Sequence, residues 1–246
     1  MHLEEFAEGN SFLHRLDPRV KFLTIMPYIL VIAIMHGQKR PLAALAFSTL
    51  LVALARLDMK KLLNRLVVVN VFVFLLWVFI PFSYPGETVF HIGPLTATRE
   101  GMLYTLSITL KTNAIVLATI AILGTSEIFS LAHALVHLKV PDKLVPLFFF
   151  FYRYISVLHG EYGRLRNAMI IRCFRAGTNM HTYRTYAYLV GMLIVKSYER
   201  SQRIYQAMLC RGFKGRFPVM SHFRLRKGDV LFGLLMAAVT VLLVII

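Results

Sequence analysis

Acid is what this chain has least of. Twelve Asp and Glu stand against 28 Lys and Arg in 246 residues, a net charge of +16. Residues 139–227 hold 17 of those basic residues and only three acids, Asp142, Glu161 and Glu199. Acid–base and nucleophilic catalysis need carboxylates, or a base held beside a nucleophile; no such constellation can be read there. Cysteine is also sparse. Cys173 and Cys210 lack the CxxC spacing of a redox or zinc site and read as reduced cytoplasmic thiols. A phosphate-binding loop is missing, because Gly212 and Gly215 do not fit GxxxxGK[ST]. ATP hydrolysis is therefore expected from another chain. The first ten residues carry Glu4, Glu5 and Glu8 and lack the basic start and apolar run of a cleavable leader. The first hydrophobic block is expected to stay as a span.

What is abundant is apolar surface. The chain is 57% hydrophobic with a mean hydropathy of +0.63, against about 45–50% apolar in soluble domains. The excess falls in five blocks: Phe22–Met35, Leu42–Ala55, Leu66–Phe82, Met102–Leu123 and Val230–Ile246. Crossing a bilayer takes about 20 helical residues. The last two blocks meet that; the first two are short and separated by HGQKR at 36–40. Pro27 is expected to kink the first. The fold class is an all-α integral membrane protein, with about five transmembrane helices plus long amphipathic cytoplasmic coupling helices. Arg56, Lys60, Lys61 and Arg65 place 56–65 in the cytoplasm by the positive-inside rule. The loop at 83–101, with its Pro85–Gly86 turn signal, then lies outside. The N-terminus and residues 125–228 become cytoplasmic, and Ile246 approaches the outer face. The chain divides into a membrane domain (1–124), a coupling region (125–228) and a last span (229–246), in a multi-pass protein of the cytoplasmic (inner) membrane. With spans present, the basic charge points to lipid headgroups or an acidic protein partner rather than nucleic acid.

The blocks contain no Asp or Glu. Selective metal transport needs carboxylate, imidazole or soft sulfur donors in a set geometry, and Met26 and Met35 alone do not supply it. No metal site is assigned to this chain. His133 and His137 are spaced like helical ligands, but Ala134 stands where HExxH has Glu; they read as interface histidines. Lys111 lies deep in the fourth block, as a functional charge or a snorkelling one. Asn113 suggests a polar contact between helices.

Apolar residues in the basic region step by three or four. Leu144, Phe148, Phe151, Ile155, Leu158, Tyr162, Leu165 and Met169 form one stripe; Val190, Ile194, Tyr198, Tyr205 and Met208 form another. Lys196, Arg200, Arg203 and Arg211 fall mainly away from the second. This is the pattern of helices with one buried and one wet face. Glu199 and Arg203 form an i,i+4 pair. Thr125-Ser126-Glu127 reads as the end of one helix and the capped start of a short further one, and Lys-Gly-Asp at 227–229 introduces the last span.

Each stripe ends in the same phrase. RLRNAMIIRCFR at 164–175 and RIYQAMLCRGFK at 203–214 share Arg, Ala, Met, Arg and Phe in register. Gly212 is a natural helix terminator because glycine accepts positive φ; Cys173 leaves the first end less defined. A cation near a helix C-terminus gains about 0.3–1 kcal/mol from the dipole, which accounts for an Arg but not for the repeated frame. Two equivalent guanidinium groups suggest two equivalent acidic pockets, as on a symmetric dimer.

The stretch SYERSQRIYQAMLCRGFKGRFP at 197–218, with DPRVK at 17–21, resembles the transmembrane component of energy-coupling factor transporters, nearest the cobalt/nickel-import (CbiQ-type) branch. The resemblance implies a non-catalytic scaffold with crossed coupling helices. Each helix ends in an Arg-centred motif, usually Ala-Arg-Gly, that docks into a groove on one of two ATP-binding-cassette ATPases. The matching residues are Ile171-Arg172-Cys173 and Cys210-Arg211-Gly212. Docking is expected from Arg172, Arg211, Gly212, Cys173, Ala168, Ala207, Met169, Met208, Phe174 and Phe213, and electrostatic steering from Arg175, Lys214 and Arg216. The resemblance further implies a separate substrate-binding membrane subunit for cobalt or nickel, with no cofactor here and ATP and Mg bound by partner subunits. Rival readings are a self-contained permease, a component serving a vitamin-binding subunit, and a surface enzyme acting on anionic lipid.

Overall fold

The computed structural model describes residues 9, 11–92, 95–127, 130–131, 144–214 and 226–245. Two compact units emerge, one from residues 139–222 and the other from residues 2–138 with 223–246.

The second unit is the membrane unit. Its helices are α1 (Pro18–Ile34), α2 (Lys39–Ala55), α3 (Met59–Ser83), α4 (Arg99–Ile122) and α5 (Lys227–Ile245). Local chemistry sets their starts. Asp17 accepts the Arg19 N–H and Pro18 opens α1, where a missing N–H costs nothing. Asp58 caps α3 through the Lys60 N–H and Thr98 caps α4 through the Gly101 N–H. The Asp58 cap moves the start of α3 ahead of its apolar block. Most of the 56–65 stretch expected as a loop is therefore the first turns of a helix, and only Arg56–Asp58 links α2 to α3. Arg56 turns that corner with φ 51°.

Helices α3, α4 and α5 are long and apolar enough to cross a bilayer. The 17 residues each of α1 and α2 reach about 26 Å at 1.5 Å per residue, short of the roughly 30 Å hydrocarbon core. Helix α1 runs on through Pro27. Small residues let α2 and α4 approach closely: Ala44, Ser48 and Ala55 on one, Ala114, Ala118 and Ala121 on the other, all buried. Tyr28 of α1 is fully buried and donates its hydroxyl to the Ala44 carbonyl at 3.0 Å, with the Ser48 hydroxyl also at 3.0 Å. Phe232 and Met236 of α5 complete this core. Large apolar side chains face outward, among them Phe72, Phe74 and Phe79 on α3 and Leu231, Leu234 and Ile245 on α5. A soluble protein does not carry such a surface; lipid is its solvent. This is an all-α membrane protein.

Between α3 and α4 lies a small antiparallel hairpin, β1 (Thr88–Ile92) and β2 (Leu95–Thr98). The sequence reading gave only a loop there. β-branched Thr88, Val89, Ile92, Thr96 and Thr98 favour extended backbone, but the run is too short for its period to stand out.

The polar residues of the spans are used between helices. Asn70 of α3 and Asn113 of α4 exchange amide hydrogen bonds at 3.1 Å. Trp77 donates to Thr109 at 3.0 Å. Lys111 donates to the Ala33 carbonyl at 3.3 Å, one of the last four carbonyls of α1, which have no partner within the helix. Lys111 thus serves as a C-terminal cap supplied by a neighbouring helix.

The other unit contains α6 (Leu144–Ile171) and α7 (Met180–Cys210). Asn179 caps α7, accepting from the Thr182 N–H at 2.9 Å and the Thr182 hydroxyl at 2.7 Å. Glu161 of α6 binds Lys196 of α7 and Arg164 of its own helix. The Lys196 hydrogen bond, then that of Arg164, holds the Glu161 carboxyl below the usual carboxylate range. Glu199 and Arg203 lie 4.0 Å apart, at the outer limit of an ion pair.

The second stripe departs from expectation. Val190, Ile194, Tyr198 and Tyr205 are exposed. The side of α7 facing α6 carries Lys196, Ser197, Arg200, Ile204 and Met208, which line an apolar groove of about 800 Å³ with Leu144, Phe148, Phe151 and Leu158. Periodicity reports that a helix has an apolar face, not that its own chain covers it; here polar α7 residues meet α6 because Glu161 anchors that side.

Candidate functional site

Both copies of the repeat end their helices by the same hydrogen bonds. At the end of α6 the Cys173 N–H reaches the Ile170 carbonyl at 2.9 Å, and the Phe174 N–H reaches the Met169 carbonyl at 3.1 Å. At the end of α7 the Gly212 N–H reaches Leu209 at 2.9 Å, and Phe213 reaches Met208 at 3.0 Å. This double closure is the Schellman cap, which needs one residue in the left-handed region. Gly212 supplies it with φ 79° and Cys173 with φ 59°. The expectation that Cys173 leaves the first end less defined is therefore corrected. The turn forms there too, at the cost of a side chain in a conformation L-residues avoid.

The cap explains most of the repeat. Its bond pattern puts Met at the third position from the helix end and Phe just past the left-handed residue, where a hydrophobic contact commonly seals this motif. Met169, Phe174, Met208 and Phe213 are all half-buried. Phe174 packs further against His181 and Tyr186 at the start of α7, with ring centroids 6.2 and 5.8 Å away. The sequence reading took the frame as a docking signal beyond capping; Met and Phe belong to the cap.

Arg172 and Arg211 do not. Each is the C-cap residue, one past the last residue of its helix, where the cap uses only backbone, and each is exposed. Among the described residues neither guanidinium has a hydrogen bond or an ion pair. Ala168, Ala207, Cys173, Gly212, Arg175 and Lys214 are exposed around them. Arg216 lies outside the described residues, as do His133 and His137. No Asp or Glu occurs at 162–198 or at 200–228, so the chain near each cap offers no carboxylate. The caps are also far apart. Phe174 anchors the first near the start of α7, and the second closes the end of that 31-residue helix, about 45 Å away at 1.5 Å per residue. Among the described residues, no cluster of three or more His, Cys, Asp or Glu could hold a metal ion.

Two exposed guanidinium groups, uncommitted among the described residues, at equivalent rigid ends can bind two acidic or carbonyl-lined pockets. Sequence reasoning singled out the arginines; it missed that Cys173 takes the glycine conformation, which only the Phe174 register hints at.

A family model described as "Cobalt transport protein" (CbiQ) matches residues 9–222. The chain is 28% identical to the energy-coupling factor transporter transmembrane protein EcfT of Acidaminococcus fermentans, covering 98% of this chain and 94% of that protein. It is 27% identical to EcfT of Streptococcus equi (87% and 83% covered) and 25% identical to EcfT of Bacillus subtilis (87% and 85% covered). This chain belongs to the CbiQ cobalt transport protein family, as a transmembrane component of the energy-coupling factor type.

Proposed function

We propose that this chain is the coupling subunit of an importer. Two cytoplasmic ATP-binding-cassette ATPases would hold Arg172 and Arg211, and α6 and α7 would carry their relative motion to a separate substrate-binding membrane subunit. The observation that carries the reading is the pair of identical caps, each presenting a bare, exposed arginine at opposite ends of one long helix. A spacing of about 45 Å suits two binding sites on two subunits better than one shared pocket. Charge-assisted, bidentate bonds are what arginine makes best. No acid flanks either cap in the sequence, and in this reading the partners supply it. In this reading the chain crosses the membrane about five times, with the N-terminus and residues 125–228 cytoplasmic. ATP and Mg are bound by the partners.

Cobalt is the proposed cargo, from the family's description, with nickel beside it from the sequence resemblance alone. The five apolar blocks have no acid to select a metal, so in this reading selection falls to the substrate-binding subunit. The EcfT relatives carry no metal in their names, which favours keeping a vitamin-binding partner as the second reading. Affinity purification of the tagged chain from its native cells tests both. An ATPase and a second membrane protein should co-purify, and cobalt, nickel or vitamin uptake should follow the identity of that protein. A chain that purifies alone and moves substrate alone would be a self-contained permease.

A further inference from the structure

The membrane unit contains a second built cluster that the docking reading leaves unused. Lys21, in the first turn of α1, is fully buried. Its ammonium donates to the Ser126 hydroxyl at 2.7 Å, the Thr125 hydroxyl at 3.1 Å and the Thr125 carbonyl at 3.4 Å. Thr125 turns its own hydroxyl proton back to the Ala121 or Ile122 carbonyl at the end of α4, leaving a lone pair for Lys21. Asp229, in the first turn of α5 and 3% exposed, accepts the Asp17 N–H at 2.9 Å through one oxygen and the Arg226 N–H at 2.7 Å through the other. Asp17, also buried, gives one oxygen to cap α1, and its other oxygen has no hydrogen-bond partner among the described residues.

Three helices are thereby tied at one end. The tie falls at the end of α4 and the start of α5, and the chain runs on from these two ends to the unit boundaries at Leu138 and Phe223. The membrane-unit ends of both segments that lead to residues 139–222 are thus bonded to the start of α1. A buried ammonium costs desolvation that an apolar side chain of similar size would not, and such groups are best attested where they fix register. Losing one partner strands a buried charge, so the cluster holds as a unit rather than loosening by degrees.

We propose that the Asp17–Lys21–Asp229 cluster, with Thr125 and Ser126, is the latch through which motion of the coupling helices enters the membrane helices. Lys21 is its positioning residue. A pull on either connection moves α1, the end of α4 and the start of α5 together. The inference rests on the coupling reading.

The test uses the complete complex in lipid nanodiscs, with hydrogen exchange followed before and after ATP-Mg plus vanadate. Lys21→Met combined with Asp229→Asn removes the ammonium and one of the two buried carboxylates together. Ser126→Ala removes only the shortest bond. In the wild type, nucleotide should change exchange both at 165–175 and 205–214 and at 18–25, 118–127 and 227–233. The double variant should keep its ATPases and the first change, and lose at least fivefold of the second; Ser126→Ala should lose about half. A double variant that transmits the second change at wild-type size overturns the latch. So does failure of both variants to assemble, which assigns these residues to folding alone. A wild-type complex without an ATPase, or without the first change, overturns the coupling reading itself.

Discussion

Replacing Cys173 with glycine should strengthen the end of α6. Cys173 holds φ 59°, and a non-glycine residue pays about 1–2 kcal/mol there. Glycine removes that cost but widens the unfolded ensemble, returning about 0.4–1 kcal/mol. The net gain is about 0.5–1 kcal/mol, or roughly a two- to fivefold slower local opening, since 1.4 kcal/mol is about tenfold. The mirror experiment is Gly212→Ala. A Cβ at Gly212 would meet no atom within 4 Å, so the cost is in the backbone alone, about 1 kcal/mol, and opening should quicken about fivefold. The assay is hydrogen exchange of the amides of 172–174 and 211–213 in the purified protein. Faster exchange in Cys173→Gly, or no change in Gly212→Ala, would refute the left-handed cap at that end. The same strain sets what remains of the difference between the arginines. Arg211 is still expected to matter at least as much as Arg172, but by no more than the cost of about 1–2 kcal/mol stored at Cys173.

Asn70→Ala and Asn113→Ala should each destabilise the membrane unit by about 1 kcal/mol, and the double variant by less than their sum; a double-mutant cycle on unfolding in mixed micelles measures the coupling. Glu161 carries a pH prediction. Its carboxyl is held below the ordinary range by Lys196 and Arg164, so the tie between α6 and α7 is fully present above the unfolded carboxylate's range. It is lost as pH falls through its own lowered value. Protection about residues 161 and 196, taken relative to the intrinsic exchange rate at each pH, should therefore fall with acid in the wild type and stay flat in Glu161→Gln. Cys173 and Cys210 are both exposed and are the chain's only cysteines. An impermeant maleimide should miss them in intact cells and react after permeabilisation; labelling from outside would reverse the proposed orientation.

The spans were legible because lipid imposes one requirement over some 20 residues at a time, and nothing in the Phe72–Phe79 stretch competes with it. The two helix ends were legible as a pair because the chain writes the same cap twice. The Lys21 cluster was not legible, since its partners lie 104 or more residues away in sequence and its residue types are those of ordinary helix starts. The outward stripe of α7 was misread for a related reason. Val190, Ile194 and Tyr198 mark an apolar face, but whether that face meets α6, lipid or another chain depends on Glu161 gripping Lys196 across the unit. Lys111 yielded half its meaning: a charge within a span needs a partner, but only the fold shows that the partner is the open end of α1.

The central claim is that Arg172 and Arg211 hold the ATPases. The measurement is the affinity of the ATPase pair for the detergent-solubilised chain with Arg172→Ala, Arg211→Ala, both, or Lys at both sites. Each truncated charge-assisted contact is expected to cost about 2–5 kcal/mol. Because one rigid helix links the two sites, losing both should weaken binding beyond the average of the single variants. Lysine should rescue only in part, lacking the planar fork. ATPases bound to the double alanine variant as tightly as to the wild type would contradict the account and leave both arginines as helix-end charges.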